Sequence, residues 1–375
     1  MFIDSFKQHF ETVADPRQSA KVTYPFFDIL FGTLCAVIAG ARGWFDIREY
    51  LLGHHKWFLE LGMFKAGIPA DDTIARTISA IKPEQFQTCF LDWMASVHTL
   101  TQGELIAIDG KTLRGSYNRE DRNSTIHMVS AYATANKLVL GQLKTDKKSN
   151  EITAIPELLK LLDLRGALVS IDAMACQTKI AKTIIEQKGD YLLAVKGNQG
   201  NLSKSVQHAF SALRNDASSL AALQTEKKHG RIESRLCHVL DASTLEGNFS
   251  RWTGLKTLAM ITSFRKEKSK PVSLEYRYYI SSKIMSAEQV ASAVREHWSI
   301  ESMHWVLDVS MQEDACPIYK DHAAENLACL RHLALNMLRA EPTKLSIAGK
   351  QKRCWMKTEH LEKVLIAGLS ISIKK

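Results

Sequence analysis

The sequence predicts an α/β protein in which a mixed sheet is flanked by helices, with a helical domain before the sheet and a β-rich insertion late in the chain. Three observations predict this class. The first hundred residues have helical periodicity, the apolar residues after Gly103 form short runs typical of buried strands, and these runs then alternate with amphipathic segments. A chain of 375 residues has ample length for a large core.

The helical domain covers residues 1–100. Apolar residues at helical spacing predict four helices, over 26–41, 44–61, 71–81 and 81–97. Asp71 is well placed as an acidic N-cap or first-turn residue, where it complements the helix dipole. Phe86, Phe90 and Trp93 recur on one helical face and are predicted to be core residues rather than a ligand site.

The strands of the next region predict its topology. In order, the chain reads as three strands, a helix, a strand, a helix and a strand: 105–109, 127–133, 137–144, 151–164, 167–174, 177–187 and 190–197. Ser149 or Asn150 is the predicted cap of the first of these helices. A three-stranded meander followed by two crossover units gives a sheet with both antiparallel and parallel pairs.

Two of the predicted strands end on an aspartate. Asp109 ends the first and Asp172 the fourth, and each is followed by a small residue that leaves room for a ligand. Adjacent carboxylates repel each other unless a cation lies between them, and their hard oxygen atoms suit Mg²⁺ or Mn²⁺. The alternative is that Asp109 begins a turn and Asp172 caps a helix, both common uses of aspartate.

A polar stripe marks the helix predicted over residues 286–312. His297, Glu301, His304 and Asp308 share one narrow face. The stripe is flanked by apolar residues, namely Trp298 and Trp305 on one side and Ile300 and Leu307 on the other. A polar line between apolar walls favours a lined pocket in which the charges need a metal or partners. The alternative is a buried His–Glu pair without a chemical role.

The charge distribution favours a polyanionic partner. The net charge is +9, and residues 201–300 hold 15 Lys and Arg against 9 Asp and Glu. Three cations beside the predicted strands are candidate phosphate contacts, with solvated surface cations as the alternative: Lys111, Arg114 and Lys196. A basic segment with an aromatic, 350–357, is either a DNA contact or an exposed helix end.

Composition also bears on the compartment. The longest apolar run, 26–41, contains Asp28 and falls short of the ~20 residues that span a bilayer, so no membrane segment is expected. Residues 1–17 are rich in charge, which argues against a signal peptide. The seven cysteines are odd in number and form no CxxC pair, which argues against disulfides and structural zinc. A cytoplasmic protein is expected.

Long motifs resemble one family, the H-repeat-associated insertion-sequence transposases of the DDE superfamily. They are IAIDGKTLRGS, KTDKKSNEITAIPELL, DAMACQTKIA, GDYLLAVKGNQG, RYYISS and HWSIESMHWVLDVSMQED. HFETVADPR and GIPADDTIARTISAIKPEQF resemble the helical domain associated with this family. The resemblance covers almost the whole chain, and the order of the motifs makes it specific.

This resemblance implies a ribonuclease H-like core whose catalytic, metal-binding carboxylates are Asp109, Asp172 and Glu301. The strand pattern leads to the same two aspartates. The implied activity is DNA cleavage at the element ends and transfer of the 3′ hydroxyl into target DNA, with two Mg²⁺ or Mn²⁺ ions about 3.5–4 Å apart. Double-stranded DNA and a second copy of the chain, in a dimer, are the implied partners. His297, His304 and Asp308 are candidate auxiliary residues.

The expected domain limits follow from these assignments. The catalytic domain spans 101–340, the β-rich insertion lies at about 199–282, and a basic tail occupies 341–375. A related superfamily places Tyr, Arg and Lys around its Glu, where this chain has Val294, His297 and Asp308, so the roles of those three residues are not transferred.

Two other functions were considered. GKT at 110–112 suggests a P-loop, but the pattern needs glycine where Leu105 stands, so it is rejected. A catalytically inactive, DNA-binding descendant of a mobile element stays open as the alternative function.

Overall fold

The computed structural model describes most of the chain. The described residues are 2–18, 20, 22–97, 102–118, 121, 124–145, 151–211, 222–228, 231–245, 247–267 and 271–369. The predicted caps Ser149 and Asn150 lie outside these ranges.

The N-terminal region is helical, as predicted. Its helices are α1 (Phe2–Phe10), α2 (Phe26–Ile38), α3 (Trp44–Gly53), α4 (His55–Glu60), α5 (Asp71–Ala80) and α6 (Pro83–Val97). The prediction of a single helix over 44–61 is wrong. The helix is interrupted at His54, directly after Gly53, and α4 begins at the next residue. Asp71 lies in the first turn of α5, whereas Ala70 holds the N-cap position. The three predicted core aromatics of α6 are at most 2% exposed.

The central strands form the predicted mixed sheet. The elements are β1 (Leu105–Leu113), β2 (Ile126–Ala133), β3 (Leu138–Thr145), α7 (Glu151–Lys160), β4 (Leu168–Ile171), α8 (Thr178–Glu186) and β5 (Asp190–Val195). The strand order is β3-β2-β1-β4-β5, with β1, β2 and β3 antiparallel and β1, β4 and β5 parallel. This arrangement is ribonuclease H-like and confirms the predicted fold class.

The β-rich insertion continues the same sheet. It contains α9 (Gly200–Ala209), β6 (Ala222–Lys228), β7 (Arg231–Asp241), β8 (Thr257–Glu267) and β9 (Ser273–Ser281). Strand β9 pairs antiparallel with β5 over Leu192↔Ser281 to Val195↔Tyr278, and β8, β7 and β6 follow outward. The result is one sheet of nine strands.

Five helices follow the insertion. They are α10 (Ala287–His297), α11 (Ser299–Val309), α12 (Ala323–Ala340), α13 (Ile347–Met356) and α14 (Thr358–Leu369). Helix α12 packs against α2, α5, α6 and β3, so the N-terminal helices and the sheet share one apolar core. In α13, Lys350 is buried 3.1 Å from Glu341 Oε2, so this member of the basic segment 350–357 is an internal residue.

The cysteines contribute to the buried core. All seven cysteines are buried and free. Within the described ranges, no helix combines the length and apolar character needed to cross a membrane. The domain limits at residues 100, 199, 282 and 340 stay predictions.

Candidate active site

Asp109 lies within β1 rather than at its end. The antiparallel ladder with β2 carries the strand on through Asp109↔Ser130 to Leu113↔Ile126. The parallel ladder with β4, by contrast, stops at Ile108↔Ile171. The predicted strand end is therefore wrong, and what ends before Asp109 is its pairing with β4.

Asp172 directly follows β4, one residue beyond the last parallel pair. Asp109 and Asp172 thus occupy corresponding positions on neighbouring parallel strands. The Asp172 Oδ1 atom accepts a hydrogen bond from the Met174 backbone N–H at 2.7 Å. The carboxylate therefore stabilises a turn and also faces the cavity described next.

The three predicted carboxylates line one cavity of about 340 Å³. Glu301 reaches it from the first turn of α11, and Lys196 contributes a cation from the end of β5. As placed, the described His, Cys, Asp and Glu side chains form no group of three or more with the spacing of a metal site. The fold brings Asp109, Asp172 and Glu301 to one cavity without closing them around a common point.

The environment of this cavity disfavours the simultaneous ionisation of all three carboxylates when no cation compensates their charge. Burial raises the pKa of Asp109 to about 7, a hydrogen bond from the Gly110 backbone N–H opposes the shift, and Asp172, Glu151 and Glu301 add to it. Burial also raises the pKa of Glu301, against the nearby guanidinium of Arg277. A divalent cation would relieve this repulsion, and carboxylate oxygens are the ligands that Mg²⁺ and Mn²⁺ prefer.

The helix predicted over 286–312 is interrupted at Trp298, which separates α10 from α11. The polar stripe nevertheless faces the sheet. His297 Nδ1 is 2.8 Å from the Ser170 hydroxyl, and His304 Nδ1 is 3.6 Å from Asp109 Oδ2. The two helices therefore present one row of polar groups along β1 and β4.

Both histidines are held in the neutral form. Burial lowers the pKa of His304 to about 3, with Lys111 and His332 acting in the same direction. Burial also lowers the pKa of His297. In the structure His297 contacts Ser170 and His304 contacts Asp109. These contacts differ from the buried His–Glu pair that is the alternative interpretation of the sequence.

The predicted apolar walls of the stripe differ from each other. Ile300 and Leu307 are fully buried in the core. Trp298 lines the cavity but is 44% exposed, and Trp305 is 61% exposed. The wall predicted from the two tryptophans is therefore open to solvent, because only the opposite side of α11 packs on the sheet.

The candidate cations have different environments. Lys111 is 9% exposed and forms ion pairs with Asp308 and with Glu313, the latter at 2.5 Å. Arg114 is 82% exposed and lies 3.5 Å from Asp314. Lys196 is exposed and lines the cavity, so Arg114 and Lys196 have the accessible charges in this set.

The sequence reading missed a second cavity of about 320 Å³. It adjoins the first, sharing Glu275, Arg277, Tyr279, Val294 and Trp298. Four arginines line it: Arg235, Arg265, Arg277 and Arg295. The signal available in the sequence was the basic excess of residues 201–300, but only the β5–β9 pairing brings those cations beside the carboxylates.

Glu151 was missed as well. It begins α7, and its carboxylate lies 2.5 Å from His127 Nε2, on the side of Gly110 that a Cβ atom would occupy. Its charge contributes to the raised pKa of Asp109. The motif that contains it was noticed in the sequence, but no spacing rule singled out this residue.

Family comparisons agree with the long motifs. Residues 7–94 match the family described as DDE_Tnp_1-associated, and residues 100–337 match the family described as Transposase DDE domain.

Relatives from Escherichia coli extend this similarity. The protein named "H repeat-associated putative transposase YhhI" from strain K12 is 44% identical over 380 residues, which cover 99% of this chain and 100% of that protein. "Putative transposase YncI" from O157:H7 is 47% identical over 378 residues, 97% of this chain and 95% of that protein. "Inactive transposase YbfQ" from K12 is 42% identical over 79 residues, 21% of this chain and 94% of that protein.

Among solved structures, a piggyBac transposase synaptic complex with hairpin DNA aligns at a TM-score of 0.47 and 12% identity, over 96% of this chain and 81% of that chain. The family match over 100–337 and the two full-length relatives carry the assignment. The resemblance seen in the motifs is confirmed, and the chain belongs to the DDE-domain transposases, in the H-repeat-associated group.

Proposed function

We propose that this transposase cleaves DNA at the ends of an insertion sequence and transfers the freed 3′ hydroxyl into target DNA, with Asp109, Asp172 and Glu301 as its catalytic carboxylates. The observation that supports this most directly is that side chains from β1, β4 and α11 line one cavity. One centre suffices for both steps, because each is an in-line attack of an oxygen nucleophile on a phosphodiester: water in the cleavage step and the freed 3′ hydroxyl in the transfer step.

The donor set fits divalent cations. Three carboxylates line one cavity, and burial raises the pKa of Asp109 to about 7, with the charges of Asp172, Glu151 and Glu301 adding to the shift. Two Mg²⁺ or Mn²⁺ ions would be held here, by the carboxylates of Asp109, Asp172 and Glu301. Such ions, when bound, would activate the attacking water or 3′ hydroxyl and stabilise the leaving oxygen.

The remaining groups bind and orient DNA. Lys196 in the catalytic cavity and exposed Arg114 are proposed phosphate contacts, whereas Lys111 is assigned to its internal ion pairs. In the second cavity, exposed Arg265 is a further proposed phosphate contact, whereas Arg235, Arg277 and Arg295 pair with Glu233, Glu275 and Glu226. His297 and His304, both neutral, position Ser170 and Asp109 rather than carry charge.

The proposed partners are duplex DNA and a second copy of the chain. Two element ends have to be cut and joined together, and each polypeptide supplies one set of three carboxylates. We therefore expect a homo-oligomer, a dimer, when DNA is bound.

The test is Mg²⁺-dependent nicking of a labelled duplex that carries the element's own end sequence. Wild type is compared with Asp172→Asn, and with Asp163→Asn as a matched control, because Asp163 is an exposed aspartate paired with Arg165. We expect nicking by wild type and Asp163→Asn and none by Asp172→Asn. Equal nicking by Asp172→Asn would defeat the carboxylate assignment. DNA binding without nicking by wild type would identify an inactive descendant.

A further inference from the structure

Three side chains form a buried network on the face of the sheet opposite to Glu301. The His127 ring lies between Glu151 Oε1, 2.5 Å from its Nε2, and Thr112 Oγ1, 2.9 Å from its Nδ1. The side chains of His127 and Glu151 are only 8% and 15% exposed. Both ring nitrogens are thus engaged, which fixes the orientation of the imidazole.

This network lies directly beneath Gly110, the residue after Asp109. A Cβ atom at Gly110 would lie 2.3 Å from Glu151 Oε1 and 2.5 Å from His127 Nε2, closer than real Cβ atoms approach. The imidazole ring of His127 and the carboxylate of Glu151 fill the space that a side chain at Gly110 would occupy. A side chain at Gly110 would therefore have to displace the Glu151 carboxylate and the His127 ring.

Among the strands that the structure describes, only β2 pairs with Asp109 and Gly110. Their pairing with β2 continues through Gly110↔Val129, but the β4 ladder has already ended at Ile108. The Gly110 backbone N–H lies close enough to the Asp109 carboxylate to lower its pKa. Whatever fixes Gly110 therefore also fixes the orientation of that carboxylate.

We infer that Glu151 and His127 are positioning residues that support Gly110 from below and so orient the Asp109 carboxylate for metal binding. This inference rests on the proposed function, since it assumes that Asp109 is a metal ligand. Hydrogen-bonded groups behind a metal ligand typically change metal affinity by about 10–100-fold when they are removed.

The readout is Mn²⁺ affinity, measured by electron paramagnetic resonance of free Mn²⁺ on the full chain. We expect Glu151→Ala to weaken binding about 10–100-fold. Glu151→Gln keeps an oxygen that accepts from His127 and should retain most of the affinity. Gly110→Ala should resemble Glu151→Ala, because the added methyl displaces the pair. Glu157→Ala, an exposed position of the same helix paired with Lys160, is the matched control and should bind as wild type does.

Two results would overturn the inference. Folded Glu151→Ala that binds Mn²⁺ as tightly as wild type would leave the network a purely structural role. Equal weakening by Glu151→Gln and Glu151→Ala would show that the charge of Glu151, rather than its contact with His127, is what matters. If Glu151→Ala does not fold, Thr112→Val takes its place, because it removes only the hydroxyl at His127 Nδ1; it should weaken binding, and unchanged affinity would count against the inference.

The nicking assay separates this inference from the proposed function. Wild type that binds Mn²⁺ in a Glu151-dependent manner but does not nick DNA would leave the positioning role standing and refute the proposed activity. Wild type that nicks, combined with unchanged Mn²⁺ affinity in Glu151→Ala, would refute only the positioning role. Wild type without affinity for Mn²⁺ would refute both.

Discussion

Lys111 in β1 and Glu313, in the turn after α11, form a buried ion pair, 2.5 Å apart and 9% and 1% exposed. Asp308 also contacts the ammonium. Burial alone would raise the pKa of Glu313, but Lys111, His332 and Arg331 hold it below its ordinary value. The pair joins β1, which carries Asp109, to the segment after the Glu301 helix, so it constrains the distance between two parts of the candidate site.

Removing one member of this pair should destabilise the fold. We expect Glu313→Ala to lower the free energy of unfolding by about 3 kcal/mol, because it leaves Lys111 with reduced compensation in a buried place. Glu157→Ala, which breaks the exposed pair with Lys160, should cost less than about 1 kcal/mol. Urea unfolding followed by circular dichroism measures both. Equal small losses would show that the Lys111 site relaxes into solvent.

The Lys111–Glu313 pair predicts that the stability of the fold depends on pH. The pKa of Glu313 is lowered from an ordinary value of 4.5, so its contribution is present above that pH and is lost as the pH falls below it. Lys111→Met combined with Glu313→Gln should therefore show a shallower loss of stability between pH 5 and about pH 3 than wild type. Parallel curves for the two proteins would mean that other groups, such as buried His332, account for the acid sensitivity.

The second cavity predicts a specific salt dependence of DNA binding. Arg265 is exposed and lines that cavity. If it contacts a phosphate, Arg265→Ala should lower the slope of log affinity against log salt by about 1. Arg165→Ala removes an exposed arginine that is paired with Asp163 elsewhere and should leave the slope unchanged. A slope that is the same in all three proteins would place the DNA on another surface.

Asn336 predicts a further stability effect. Its side chain is fully buried in α12 and bonds both backbone groups of Val139, accepting from the N–H at 2.9 Å and donating to the carbonyl at 2.8 Å. It thus replaces a neighbouring strand at the edge of β3. Asn336→Ala should cost about 2–4 kcal/mol, since each unpaired buried group costs about 1–3 kcal/mol. Exposed Asn201→Ala should change stability by less than about 0.5 kcal/mol; similar values for the two would contradict this role.

Much of the core could be predicted because its signals are local. Apolar runs and turn residues identify β1 to β5, and the order of the elements restricts their topology to a meander with two crossovers. The convergence of Asp109 and Asp172 follows from that topology, since the ends of neighbouring parallel strands lie at one edge. Their meeting with Glu301 rested on the polar stripe and the family motifs.

Other features depend on contacts that no local pattern encodes. The sequence predicts Lys111 as a phosphate contact or a surface cation. Its burial could not be predicted, because the carboxylate that accepts from it lies about two hundred positions away in the sequence. The interruption at Trp298 has no proline or glycine to signal it. The Glu151–His127 network needed the register of β1 on β2, which places His127 opposite Thr112.

The ladder between β5 and β9 ties the arginine-lined cavity to the strand that precedes Lys196. Moving the arginine-lined cavity relative to Lys196 would require breaking the main-chain hydrogen bonds between β5 and β9, in the middle of a continuous sheet. A displacement of the outer strands would therefore be transmitted through the sheet directly to the candidate site, because no flexible linker separates them.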